Sequence, residues 1–322
     1  MLRTLWEVNV NTVKPNLGGM LQCLNSPERN HSMRRRDFLK AGTLAGAAAL
    51  QFPNFPYHLF AAAKQKNAQD IVTLGKTGIK LTRLAQGTGT VGYNKSSNQT
   101  RKLGIQGLAD LLRAGVDQGL NFWDCADSYG SHPHVREALK SVKREKVVIM
   151  TKSWATTEAQ MRSDIDRFRQ ELGTDYIDIF LLHCMQDNDW PEKKKGAMAV
   201  VREAKEKKIV RTHGVSCHTL GALKAAAASE WVEVDLARLN PAGLHMDADP
   251  ATVISVLKEM KSKGKGVIGM KILGQGDMRG KIDEALQYAL SQDVLDCFTI
   301  GCESRSEMED LLKRIPAASV RA

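Results

Sequence analysis

Four residues of this chain have the types needed to move a proton beside a carbonyl: Asp124, Tyr129, Lys152 and His183. Reducing a carbonyl takes a hydride donor and a proton donor for the alkoxide that develops. A tyrosine, with an ordinary pKa near ~10, keeps its proton at neutral pH and yields it to an alkoxide. A neighbouring ammonium such as Lys152 stabilises the tyrosinate and lowers that pKa. Asp124 is available to hold the ammonium, and a histidine orients the carbonyl by hydrogen bonding. The four together suffice for hydride transfer from a nicotinamide. Taken singly, each has a plain structural role open to it: a buried Asp–Lys pair, a core histidine, a surface tyrosine. A hydrolase built on Asp124 and His183 would leave Lys152 and Tyr129 without work.

Whether they act together depends on the elements that carry them. Short apolar runs at 81–86, 120–124, 147–151, 176–182, 209–216, 231–239, 266–273 and 296–301 alternate with amphipathic stretches near 100–118, 133–144, 157–172, 192–207, 219–229, 250–263, 280–291 and 305–314. Near-continuous apolar strands between helices predict a parallel sheet buried on both faces. Eight such units predict a closed (β/α)8 TIM barrel rather than an open doubly wound sheet. An open sheet would carry a G-x-G-x-x-G turn leading into a helix after its first strand. Residues 87–92 satisfy that pattern, but 94–98 reads as loop and no helix begins there, so the match is weak. Ahead of the barrel, 71–74 and 79–81 flank Gly75-Lys76-Thr77-Gly78, which predicts an N-terminal β-hairpin. In an α/β barrel the reactive side chains stand at the C-terminal ends of strands. Asp124 ends the second strand with Tyr129 in its loop, Lys152 ends the third and His183 the fourth, so all four emerge at one rim.

The segment Phe122-Trp123-Asp124-Cys125-Ala126-Asp127-Ser128-Tyr129-Gly130 resembles the F-D-T-A-x-x-Y-G signature of the aldo-keto reductase family. Thr151-Lys152 and Leu181-Leu182-His183 resemble its next two catalytic segments, and Leu74-Gly75-Lys76-Thr77-Gly78 its N-terminal hairpin, which plugs the barrel bottom. The resemblance runs from residue 70 to about 314. It implies Tyr129 as general acid, Lys152 and Asp124 as its activators, and His183 as carbonyl orienter. It also implies an NADP cofactor, with NAD as the other candidate, and a small-molecule aldehyde, ketone or sugar carbonyl as substrate.

The cofactor segments depart further from the family. Gly214-Val215-Ser216-Cys217-His218 resembles G-V-S-N-F, so Ser216 and Cys217 take the positions that hold the nicotinamide carboxamide. A thiol is a poor substitute for an amide that both donates and accepts. The family's glutamine falls on Leu236. Gly269-Met270-Lys271-Ile272-Leu273-Gly274-Gln275-Gly276 resembles A-Y-S-P-L-G-x-G, which makes Met270 the stacking platform and Leu273, Gly274 and Gly276 the loop against the pyrophosphate. Lys271 adds a cation there, facing either an anionic substrate or a phosphate. Gly87 and Thr88, after the first strand, join the nucleotide set, as do Gly301 and Ser304 of the last segment. The arginine that clasps a 2′-phosphate in the family falls near Glu307, leaving Ser304 and Arg305 as phosphate contacts and weakening the NADP preference. The chain ends soon after its last helix, which predicts an open, unselective pocket. The changes at Cys217, Leu236 and Met270 keep a second reading open: a nucleotide-binding, redox-sensing or regulatory subunit with little turnover.

The N-terminal residues read as an address. Arg34-Arg35-Arg36-Asp37-Phe38-Leu39-Lys40 precedes an Ala/Gly-rich run, and Ala61-Ala62-Ala63 follows as a small-residue cleavage pattern. The order looks like a twin-arginine export signal, with Met33 as the expected true start. This predicts a leader over 1–63, a barrel over 64–322, engagement of the twin-arginine export machinery, folding before export and a periplasmic destination. The apolar run is far shorter than the ~20 residues of a bilayer span. The 322 residues carry a net charge of +10, and the basic stretches near 193–195 and 205–208 read as solvated helix faces, not a nucleic-acid surface. Six cysteines form no C-x-x-C pair, so no metal site is expected.

Overall fold

The computed structural model describes residues 65–320, so the expected export signal at 1–63 and Met33 lie outside the described residues. Strands β1 (Ile71–Thr73) and β2 (Lys80–Thr82) form an antiparallel hairpin. The barrel follows with β3 (Leu84–Gly87), β4 (Phe122–Asp124), β5 (Val148–Ser153), β6 (Ile177–Met185), β7 (Val210–Cys217), β8 (Val234–Arg238), β9 (Gly266–Met270) and β10 (Cys297–Gly301). All neighbours pair in parallel, and β10 closes on β3 to complete the expected (β/α)8 barrel. The hairpin residues Leu74, Ile79 and Leu81 pack with inward-facing Ala85, Phe122, Val148, Ile179 and Val234, so the hairpin caps the barrel bottom. Alternate strand residues, among them Trp123, Ile149, Phe180 and Val215, face the helix layer.

The outer helices are α1 (Asn98–Asp117), α2 (His132–Leu139), α3 (Glu158–Leu172), a single turn α4 (Trp190–Lys193), α5 (Lys195–Glu206), α6 (Leu220–Ala228), α7 (Pro250–Ser262), α8 (Ile282–Ser291) and α9 (Arg305–Ser319). Their ends follow local chemistry. Ser97 with Thr100, and Thr157 with Gln160, form reciprocal capping boxes, each satisfying helix-terminal donors. Left-handed Gly173 terminates α3. The expected single helix at 192–207 is split at Lys194, which leaves helical geometry while its ammonium donates to the carbonyls of Trp154 (2.9 Å) and Ala155 (3.0 Å). No helix among the described residues is long and apolar enough to cross a membrane.

Candidate active site

At the C-terminal mouth of β4 and β5, Lys152 is fully buried and donates to Asp124 Oδ1 and to the Cys125 carbonyl (2.9 Å). Thr299 on β10 donates to the other Asp124 oxygen at 2.9 Å, so both carboxylate oxygens are engaged. The Lys152 ammonium lies 4.7 Å from the centre of the Tyr129 ring. Burial by itself would favour the neutral amine of Lys152, but the Asp124 charge, the Tyr129 oxygen and the hydrogen bond to Asp124 together outweigh it and hold the ammonium above the usual lysine range. Burial raises the Tyr129 phenol above its ordinary value, with Lys152 opposing and Asp124 adding to the rise. The expectation that the ammonium leaves the phenol more acidic is therefore outweighed: Asp124 neutralises much of that charge, and desolvation decides.

His183 stands edge-on to Tyr129, with ring centroids 5.6 Å apart. Its Nδ1 is 3.4 Å from the Ser128 hydroxyl. Burial, then the Lys152 charge, pushes its pKa well below 6.5, so the ring is neutral at pH 7. A neutral ring that accepts from Ser128 at Nδ1 presents Nε2–H as a donor. The strand is bent where His183 sits: the β6–β7 register shifts between Leu182 and Met185, and Cys184 has φ +61°. Ser216 is spent on this bend, its hydroxyl accepting from Cys184 N at 2.8 Å.

Tyr129 arrives on a one-turn 3-10 segment, Asp127–Tyr129. Asp127 is held by Lys95 and by Arg167 at 2.7 Å, and Arg167 also reaches Asp164 and Glu171. Asp127, Glu171 and His132 lie close enough to share an ion, and Lys95 and Arg167 are paired with these same carboxylates. Behind the loop, the Thr88 hydroxyl donates to the Asp124 carbonyl (2.9 Å) and accepts from the Ser131 hydroxyl (2.8 Å), so it is a buried anchor.

A cleft of about 600 Å³ opens beside these residues. Of the expected nucleotide residues, Gly87, Met270, Leu273, Gly276 and Gly301 line it, together with Asp124 and Tyr129. Lys152, His183, Thr88, Ser216, Cys217, Gly274 and Ser304 do not. Cys217 is buried against Asp235, its thiol 3.7 Å from Oδ1, and Leu236 faces the barrel interior. Ser304 caps α9 through Glu307 N at 3.1 Å. The glycines in the cleft lining suit close approach of a dinucleotide's pyrophosphate. Gly276, at φ +111°, exposes backbone that a side chain would cover, and Arg279 lies beside it. Ser216 and Cys217, the residues expected at the carboxamide, do not line the cleft: Ser216 accepts from Cys184 N and Cys217 packs against Asp235.

Several contributors were not singled out from the sequence. Gly89 and Gly92 lie against the Tyr129 ring: an added Cβ would come within 2.2 Å and 2.4 Å of it. The glycines of the 87–92 pattern thus make room for the tyrosine. Trp154, two residues past Lys152 and exposed, lies 5.1 Å from the His183 ring and walls the mouth. An exposed tryptophan just beyond a strand end is the signal that was there to read.

Barrel, mouth constellation and cleft together define the class of barrel proteins whose mouth suits hydride and proton transfer. Residues 83–315 match the model of the Aldo/keto reductase family, and the chain belongs to that family. It is similar to Aldo-keto reductase family 1 member C21 of Mus musculus, 25% identical over 215 residues, covering 58% of this chain and 64% of that protein. It is also similar to the NADH-specific methylglyoxal reductase of Escherichia coli, 27% identical over 170 residues, covering 45% of this chain and 51% of that protein. The matched stretch is thus less than two thirds of either relative's length. Among solved structures, the holo form of the aldo-keto reductase AKR11C1 from Bacillus halodurans superposes with a TM-score of 0.62 at 19% identity, covering 76% of this chain and 90% of that one. That likeness concerns the fold.

Proposed function

We propose that the protein transfers a hydride between a nicotinamide dinucleotide and a small aldehyde, ketone or sugar carbonyl. The observation that carries this reading is the Asp124–Lys152–Tyr129 array, locked by Thr299 at the cleft wall. A nicotinamide nucleotide, when bound, would supply the hydride, and Gly87, Met270, Leu273, Gly276 and Gly301 line the cleft that would hold it. Tyr129 donates the proton to the carbonyl oxygen. Lys152 stabilises the tyrosinate left behind, and Asp124 with Thr299 fixes that ammonium. His183 orients the carbonyl through Nε2–H, and Trp154 shields it from water. Because burial raises the phenol, Tyr129 stays protonated across neutral and mildly alkaline pH.

For the nucleotide, the Gly276 loop and Arg279 would hold the pyrophosphate. NADP is the expectation from family resemblance. Glu303, Glu307 and Asp310 line the far end, where Lys102 is already paired with Glu303, and this negative field counts toward NAD. We further propose export through the twin-arginine machinery to the periplasm, supported by Arg34-Arg35 and the run that follows. Cell fractionation should find the protein in the periplasm with a start near residue 64, and an intact cytoplasmic chain would overturn it.

The activity is tested by following NADPH and NADH absorbance with a panel of aldehydes and dicarbonyls, using protein without residues 1–63. Tyr129→Phe should lower turnover by about 10²- to 10⁴-fold. Tight nucleotide binding with no turnover on any carbonyl would instead support the redox-sensing reading.

A further inference from the structure

Just past Met270, the chain turns through Lys271 with left-handed backbone, φ +58°. Such a conformation strains a side-chain-bearing residue unless its surroundings impose it. Here they do: the Lys271 carbonyl accepts from Gly274 N at 2.8 Å and from Nδ2 of fully buried Asn240 at 3.2 Å. Asn240 is itself pinned by Leu244, donating to its carbonyl at 2.8 Å and accepting from its N–H at 3.0 Å. The turn places Lys271 in the wall of the cleft that holds Asp124 and Tyr129.

The lysine is half-buried, and its ammonium makes no hydrogen bond or ion pair with any of the described residues. Burial and the Arg238 guanidinium push it below the usual lysine range, a cost that a bound anion would offset. The other cations of the cleft are placed differently. Lys102 is paired with Glu303, and exposed Arg279 lies beside Gly276 at the pyrophosphate loop. The Lys271 charge acts on Asp124, Lys152 and His183 of the reacting end, and also on Cys184 and His218. A strained turn, held by a buried asparagine and presenting an unpaired cation there, has the form of a receptor for an anion.

We propose that Lys271 receives a carboxylate borne by the substrate near its reacting carbonyl, so that the preferred substrates are oxo acids or carboxylated aldehydes. The inference rests on the carbonyl-reductase reading above. A single unshared ammonium matches a monoanion better than a phosphate ester, which would leave one charge unmet at this end of the cleft.

The test is binding, so that it is read without turnover. Oxamate, the unreducible amide analogue of a 2-oxo acid, is titrated calorimetrically into the full chain, alone and with NADP⁺. Lys271→Asn retains a residue tolerant of left-handed backbone, Lys271→Arg retains the charge, and thermal melts check that both fold. Oxamate affinity should fall about tenfold or more in Lys271→Asn and recover in Lys271→Arg, with NADP⁺ affinity held within about twofold. Equal oxamate affinity in Lys271→Asn, or no binding to the wild type, overturns the proposal. Loss of NADP⁺ affinity with oxamate binding intact also overturns it, assigning the cation to a nucleotide phosphate. Failure of the reductase reading appears separately, as absent turnover in the Tyr129 comparison.

Discussion

Tyr129 occupies its place because two backbone positions lack a side chain. Gly89 and Gly92 lie so close to its ring that a single methyl at either must displace the ring or the loop. A displacement near 1 Å of a proton donor costs on the order of 10²-fold in rate. Gly89→Ala should therefore lower carbonyl-reducing turnover about 100-fold, with the melting temperature nearly unchanged, since the loop rather than the core absorbs the shift. Steady-state rates and a thermal melt on the same preparation check this; full turnover in the variant would show that the ring is held some other way. From the sequence, Asp124, Lys152 and His183 were readable at the ends of the expected strands, and Tyr129 in the loop that follows the second of them. The part played by Gly89 and Gly92 was not, since the ring they accommodate lies about 40 residues further along the chain.

At the level of elements, the strands carry function at one end and stability at the other. Near the start of β6, buried Asp178 accepts from Arg144 at 2.6 Å, from Arg211 at 2.6 Å and from Ile149 N at 2.9 Å, tying β5, β6 and β7 together. Removing one partner of a buried ionic cluster strands the others and costs about 3–5 kcal/mol. The partial exposure of Arg211 favours the lower end of that range. Asp178→Ala should lower the unfolding free energy in urea by about 3 kcal/mol, while the carbonyl site at the opposite end keeps its kcat. A loss below 1 kcal/mol would show that the guanidiniums are solvated without their acid. Helix starts were legible where the cap lies next to its helix, as at Ser97 and Thr157. The break at Lys194 was not, because the carbonyls that draw its ammonium away belong to 154 and 155.

On the scale of the whole barrel, closure buries ionisable groups, His213 and Asp235 along the strands and His218 just past the end of β7. Burial lowers His213, stacked on Trp231, and His218 to about 4 each, below the 6.5 of an unconstrained histidine. Their folded-state pKa lies under the unfolded one, so the stability they contribute is complete above 6.5 and is lost as pH falls toward 4. Asp235 runs the other way. Burial, then the Asp247 charge, raises it from 3.8 to about 8, so its contribution is complete below 3.8 and lost as pH rises through 8. Melting temperatures should fall between pH 6.5 and 4 for the wild type. The melting temperature of Asp235→Asn relative to wild type should rise steadily between pH 4 and 8. A difference independent of pH would show that Asp235 is ionised in the folded state.

The sequence by itself determined the architecture and which candidate reacting side chains meet at its mouth. Strand and helix periodicity, glycine stops and capping residues are local, and a parallel barrel turns strand order directly into which side chains share a mouth. It could not determine which of the expected nucleotide residues line the cleft. Ser216 is committed to a bend at Cys184, Cys217 to a buried acid and Thr88 to anchoring a loop, each through partners about 20 to 40 residues away. Lys271, also read from the sequence, acquires its meaning only from a left-handed turn that Asn240 imposes across strands. Tertiary structure decided these points because hydrogen-bond commitment and charge balance depend on neighbours in space, and the chain order does not name those neighbours.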